Sequence, residues 1–170
     1  TTGTGYLISS SGTAAKPLTL GSYGTADRPI IKNNNTTVFV KMLEVNGSNW
    51  LFENFELDTD KSLQAKSTDV GMLIRGSNVT VNNVRIRHVS MGISPQGQNI
   101  TIQNSEISEL YPLIIPGNPE QREPIGIYIS ASTNITVRNN RLVDILQPIP
   151  NHPLSGIAFW IYTQTSQVKF

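Results

Sequence analysis

The stretch Asn78 to Asn83, NVTVNN, places Val79 and Val81 two apart between asparagines, and three other stretches repeat the phrase. These are NWLFEN at Asn49 to Asn54, NITIQN at Asn99 to Asn104 and NITVRN at Asn134 to Asn139. The first asparagines follow one another at intervals of 29, 21 and 35 residues, and the second asparagines keep the same intervals. Whole units are therefore repeated with insertions between them, which is the mark of a solenoid.

Inside each unit the apolar residues alternate: Trp50 and Phe52, Val79 and Val81, Ile100 and Ile102, Ile135 and Val137. One more apolar position follows three residues after the second asparagine, at Leu57, Ile86, Ile107 and Leu142. Period two predicts strands with one buried face. A further strand precedes each phrase, carrying Leu43 and Val45, Met72 and Ile74, Ile93 and Pro95, Ile127 and Ile129, and in a last copy Ile157 and Phe159. Gly71, Gly92, Gly126 and Gly156 open four of these strands. Each unit thus reads as three short strands and a variable loop. One such coil cannot bury its own inner face, so coils must stack and pair in parallel at about 4.8 Å. Asn54, Asn83, Asn104 and Asn139 are expected to share one turn, where asparagine tolerates the left-handed conformation and its amide can stack into an internal ladder.

With these motifs the chain resembles the right-handed parallel β-helix superfamily, which includes pectate- and alginate-lyase-like enzymes, glycoside hydrolases, tailspikes and surface proteins. The resemblance covers residues 42 to 145 most clearly. The opening segment, with Gly12-Thr13, Pro17 to Leu20, Tyr23 to Thr25 and Arg28 to Ile31, looks like a first coil of extracellular polysaccharide-active members. It implies an all-β solenoid of about five coils, three short strands per coil, with an asparagine ladder in one turn.

The chain's 170 residues fit one domain, 1–170. Its start at Thr1 and its stop at Ser166-Gln-Val-Lys-Phe170, which reads as the opening of another phrase, lead to the expectation that it is part of a longer protein. Charged residues make up only 15% and the net charge is +1, which gives no electrostatic case for nucleic acid. Sixteen asparagines and no cysteine make a polar, uncharged surface without disulfides or thiolate metal sites. No apolar run is long enough to span a bilayer.

Aligning the coils also predicts which columns face outward. On the third strand Glu56, Arg85, Glu106 and Arg141 alternate in sign, as expected of an exposed salt-bridge ladder. Beside it lie Asp58 and Arg87, with Thr59, His88, Glu109 and Asp144 stacked where that strand ends. Carboxylates on adjacent coils would lie about 5 Å apart, the spacing of a retaining glycosidase pair. Glu109, Asp144, His88 and Arg87 are therefore the candidate catalytic residues. The plainer alternative pairs Glu109 with His88 and leaves Asp144 to cap a loop.

On the first strand the outward columns read Glu44, Leu73, Ser94, Tyr128, Ala158 and Asn46, Arg75, Gln96, Ser130, Trp160. Aromatic faces flanked by polar groups suit sugar rings, so Arg75, Gln96, Tyr128, Ser130 and Trp160 are candidate substrate-binding residues. The alternative is that the proline-rich insertions Tyr111 to Pro124 and Gln147 to Pro153 cover this face. A third insertion, Asp58 to Asp69, offers Asp58 and Asp60 as a weak oxygen site. Calcium, which several lyases of the resembling superfamily use, is the candidate cofactor.

Three functions follow from different classes. The first is a secreted or cell-surface polysaccharide-recognising protein, with a lyase or hydrolase activity along the first-strand face. The second is a non-catalytic carbohydrate-binding or adhesive module. The third is a structural surface or filament protein, for which end-to-end or trimeric self-association is the candidate partnership. The multiple-aspartate and Gly-His-Gly signatures of polygalacturonases are absent, as is a lyase pattern of lysine base with acidic calcium ligands.

Overall fold

A computed structural model describes residues 3–23, 27–33, 40–59, 68–112, 123–145, 156–162 and 166–170. It is a parallel β-helix. The first coil is β1 (Gly3–Ile8), β2 (Leu18–Gly21) and β3 (Ile30–Asn33), and the second is β4 (Val40–Val45), β5 (Trp50–Glu53) and β6 (Glu56–Thr59). The third is β7 (Thr68–Ile74), β8 (Val79–Asn82) and β9 (Arg85–Arg87), and the fourth β10 (Met91–Pro95), β11 (Gln98–Gln103) and β12 (Glu106–Ser108). The fifth comprises β13 (Ile125–Ile129), β14 (Thr133–Arg138) and β15 (Arg141–Val143), followed by β16 (Ile157–Ile161) and β17 (Ser166–Lys169). Every third strand joins the same sheet: β1-β4-β7-β10-β13-β16, β2-β5-β8-β11-β14-β17 and β3-β6-β9-β12-β15.

The register follows the asparagine phrase. Trp50 pairs with Val79, Val79 with Ile100, Ile100 with Ile135 and Ile135 with Val168, while Phe52, Val81, Ile102 and Val137 form the parallel column two residues on. Leu57, Ile86, Ile107 and Leu142 line up in the third sheet. These columns and the Met72, Ile93 and Ile127 column of the first sheet meet in one continuous core. Each coil thereby buries what it could not bury alone.

Left-handed residues make the corners. Among the described residues, eight of the thirteen non-glycine residues with positive φ are asparagines: Asn49, Asn78, Asn99 and Asn134 between the first and second sheets, and Asn54, Asn83, Asn104 and Asn139 between the second and third. The first of these sets carries the unbroken ladder. Asn78 Nδ2 donates to Asn49 Oδ1 at 3.1 Å, Asn99 to Asn78 at 2.9 Å and Asn134 to Asn99 at 2.8 Å. The expected ladder at the second set has the Asn83 to Asn54 rung at 2.8 Å, but Asn104 donates to Asn82 instead. Arg28 Nη2 donates to Asn83 Oδ1 at 2.8 Å, the atom that the next rung of the ladder would have used. These turns are also at the surface rather than internal, with Asn78, Asn99 and Asn104 exposed.

The last coil is shifted from the expected alignment. Tyr128 pairs with Trp160 and Ile127 with Phe159, so Ala158, not Gly156, continues the small-residue column of Gly71, Gly92 and Gly126. The outward columns of the first sheet are therefore Glu44, Leu73, Ser94, Tyr128, Trp160 and Asn46, Arg75, Gln96, Ser130, Tyr162. The fifth coil also has one residue more between its first two strands, taken up by Ala131 at φ 49°. Gln167, at φ 57°, stands opposite Asn134, as the reading of Ser166 to Phe170 as another phrase requires.

Candidate functional site

Two places collect the predicted site residues. The first is the corner where the third sheet returns to the first. Asparagine is absent there, and the left-handed residue is His88 (φ 56°), Glu109 (φ 53°) and Asp144 (φ 51°) in successive coils. Backbone bonds confirm the stacking, with His88 N donating to Glu109 O at 3.2 Å and Leu110 N to Asp144 O at 3.1 Å. A strand sends neighbouring side chains to opposite faces, but the left-handed turn at His88 redirects its ring. Arg87 and His88, adjacent in sequence, both reach Asp58 and Glu109.

The result is a closed ring of four side chains across three coils. His88 Nδ1 lies 2.6 Å from Asp58 Oδ1 and Nε2 lies 2.8 Å from Glu109 Oε2. On the other side Arg87 Nη2 lies 3.4 Å from Asp58 Oδ2 and Nη1 3.9 Å from Glu109 Oε1. Arg87 Nε also donates to Glu56 Oε1 at 2.7 Å. Burial lowers the Arg87 pKa, but Glu56, Asp58 and Glu109 together outweigh that effect and hold it above the ordinary value. The Tyr111 ring packs 6.2 Å from that of His88, and Asp58, His88 and Tyr111 are all buried. Arg87 and Glu109 are the partly exposed members.

The predicted charge ladder continues from this ring. Arg85 lies 3.5 Å from Glu56 and 3.3 Å from Glu106, and Arg141 lies 2.8 Å from Glu106. It is not wholly exposed as expected, because Glu56 is only 3% exposed. A buried carboxylate needs its partners far more than a surface one does. Asp144 is exposed and makes no side-chain hydrogen bond or ion pair with the described residues.

Calcium needs six to eight oxygen ligands, and Asp58 does not fit that demand, since one oxygen faces His88 and the other faces the Arg87 cation. Asp60 lies outside the described residues, as do most of the insertions expected to wall the first-strand face. Among the described residues no three His, Asp or Glu side chains form a group able to hold a metal.

The second place is the outward side of the first sheet. In the middle coils it is closed, with Leu73 3% and Ser94 1% exposed. Toward the last coils it opens: Tyr128 and Trp160 meet edge to face at 6.0 Å, and Trp160 is 43% exposed. Tyr162, 50% exposed, was not picked out from sequence because the two-residue offset of the last coil put Trp160 in its column. Its position two residues after Trp160, just past the end of β16, was the signal for it. Arg75 is exposed and paired with Glu44, which also holds Lys41 Nζ at 3.0 Å. Gln96 is half-buried beside Ser94, and Ser130 is buried at the strand end.

No helix among the described residues is long and apolar enough to cross a membrane. Compared with known proteins, the chain matches no family model, no curated protein and no solved structure.

Proposed function

We propose that this β-helix recognises a polysaccharide outside the cell, at the open end of the first-sheet face, and that its place is among the pectate- and alginate-lyase-like right-handed parallel β-helices. The observation that carries the reading is the Tyr128–Trp160 pair, two aromatic rings at 89° on the outward column of a rigid sheet. Aromatic faces supply apolar area at low entropic cost, which suits the C–H faces of sugar rings. Tyr162 extends the patch, and Gln96 and Arg75 stand in its column on earlier coils, where an amide and a guanidinium can meet hydroxyls or carboxylates. A periodic polymer matches a surface that itself repeats at every coil.

The test is a glycan array with the whole chain and with the Tyr128→Ala and Trp160→Ala variants. Each variant should bind about tenfold or more weakly to the glycan selected by the parent, with an unchanged circular dichroism spectrum. Equal binding by parent and variants removes the first-sheet face from recognition.

A further inference from the structure

We infer that the polymer taken at the open end of the first-sheet face is a neutral polysaccharide and not a polyuronate; the inference rests on the recognition reading above.

Charge is unevenly placed along the solenoid. The outward column of the third sheet alternates Glu56, Arg85, Glu106 and Arg141. By contrast, the first-sheet strands of the last three coils, Met91–Pro95, Ile125–Ile129 and Ile157–Ile161, hold no charged residue. The residues that follow these strands, Gln96, Ser130 and Tyr162, are uncharged as well. A polyuronate carries a carboxylate on every ring, and a carboxylate pressed against apolar surface loses hydration that only a cation or several donors restore. The cation of this column is Arg75, two coils before Ser130 and so about 10 Å away. It is held by Glu44, whose carboxylate is buried and also takes Lys41 Nζ at 3.0 Å. Drawing Arg75 off to a sugar carboxylate would strip a buried anion of a partner, so the exchange gains little.

What the open end offers is neutral. Trp160 and Tyr162 are 43% and 50% exposed, and Tyr128 meets the indole edge to face, which restrains it. Trp160 Nε1 and the hydroxyls of Tyr128 and Tyr162 have no hydrogen-bond partner among the described residues. Gln96 Nε2 donates to Ser94 Oγ at 3.4 Å, which leaves Gln96 Oε1 as an acceptor. Indole and phenol hydrogens donate to sugar hydroxyls, and an amide oxygen accepts from one. A ring with equatorial hydroxyls lays its flat C–H face on an aromatic and keeps its hydroxyls at the edge for such partners. Uncharged polymers of such rings, as in β-glucan and xylan, therefore fit this face without a cation.

The experiment immobilises cellulose oligosaccharides, xylan and mannan beside pectate, alginate and carboxyl-oxidised cellulose, and measures binding of the whole chain at low and high salt. Cellulose and its oxidised form share one linkage and differ in charge. A neutral polymer should bind at least about tenfold more tightly than any polyuronate. Its affinity should change less than about twofold between the two salt conditions, since no ion pair is screened. Trp160→Ala should weaken that binding about tenfold or more, and Gln96→Lys, which sets a cation in the column, should raise polyuronate affinity about threefold or more. A polyuronate bound as tightly as the neutral polymers, binding released by high salt, or a folded Gln96→Lys chain that gains nothing overturns this inference and leaves recognition standing. Absence of binding to every polymer overturns both. Circular dichroism establishes that each variant is folded, and the comparison of polymers on the parent chain decides the question where a variant is not.

Discussion

His88 and Asp58 face each other across one coil, Nδ1 to Oδ1 at 2.6 Å, although 30 residues separate them in sequence. This contact closes the ring that Arg87 completes, and it makes the corner a place where removing one charge strands another.

Arg87→Ala is expected to destabilise the protein by about 3–5 kcal/mol, because it leaves Glu56 and Asp58 charged, buried and short of a partner. Urea unfolding of the variant measures this, and Arg141→Ala is the comparison. Arg141 is exposed and among the described residues pairs with Glu106 alone, so its loss should cost less than about 1 kcal/mol. Equal costs would mean that the ring contributes no more than a surface pair.

Asn99→Ala and Asn99→Gly separate two roles of the ladder. Both lose the bonds to Asn78 and Asn134, but only alanine must hold φ 54° with a Cβ. Alanine should therefore be less stable than glycine by about 1 kcal/mol, as read from denaturation midpoints. A glycine variant as costly as the alanine would place the whole effect in the amide bonds.

The stack of glycines between the first and second sheets admits no side chain. A Cβ on Gly76 would lie 1.8 Å from Gly47 O, and one on Gly97 would lie 2.0 Å from Gly76 O. Gly76→Ala should cost about 1–3 kcal/mol or more. Thr101→Ala, at an outward position of the second sheet, should stay within about 0.5 kcal/mol of the parent. Thermal melts of the two variants decide it, and a neutral Gly76→Ala would show that the coils can separate locally.

Much of this architecture was legible because period-two alternation and the asparagine phrase both report backbone geometry. Together they aligned Val79, Ile100 and Ile135, and with them the charge ladder from Glu56 to Arg141. The last coil was misaligned because Gly156 imitates Gly71, Gly92 and Gly126. What that column requires is a small residue where the next coil's carbonyl approaches, and Ala158 O lies 2.6 Å from where a Cβ on Gly126 would stand. Trp160 thereby moves into the Tyr128 column and Tyr162 replaces it. The stacking of His88 on Glu109 was readable, whereas the approach of His88 to Asp58 was not. That approach depends on a left-handed backbone at a histidine, and composition does not announce it.

The first-set asparagine ladder also has a direction. Asn49 Nδ2 donates to Gly12 O, Asn78 to Asn49, Asn99 to Asn78 and Asn134 to Asn99, each amide giving its hydrogen to the preceding coil. Side-chain amide dipoles aligned in this way add rather than cancel. One edge of the solenoid is thus an electrostatic arrow, its carbonyl ends pointing toward later coils and its first donor already closed on Gly12 O.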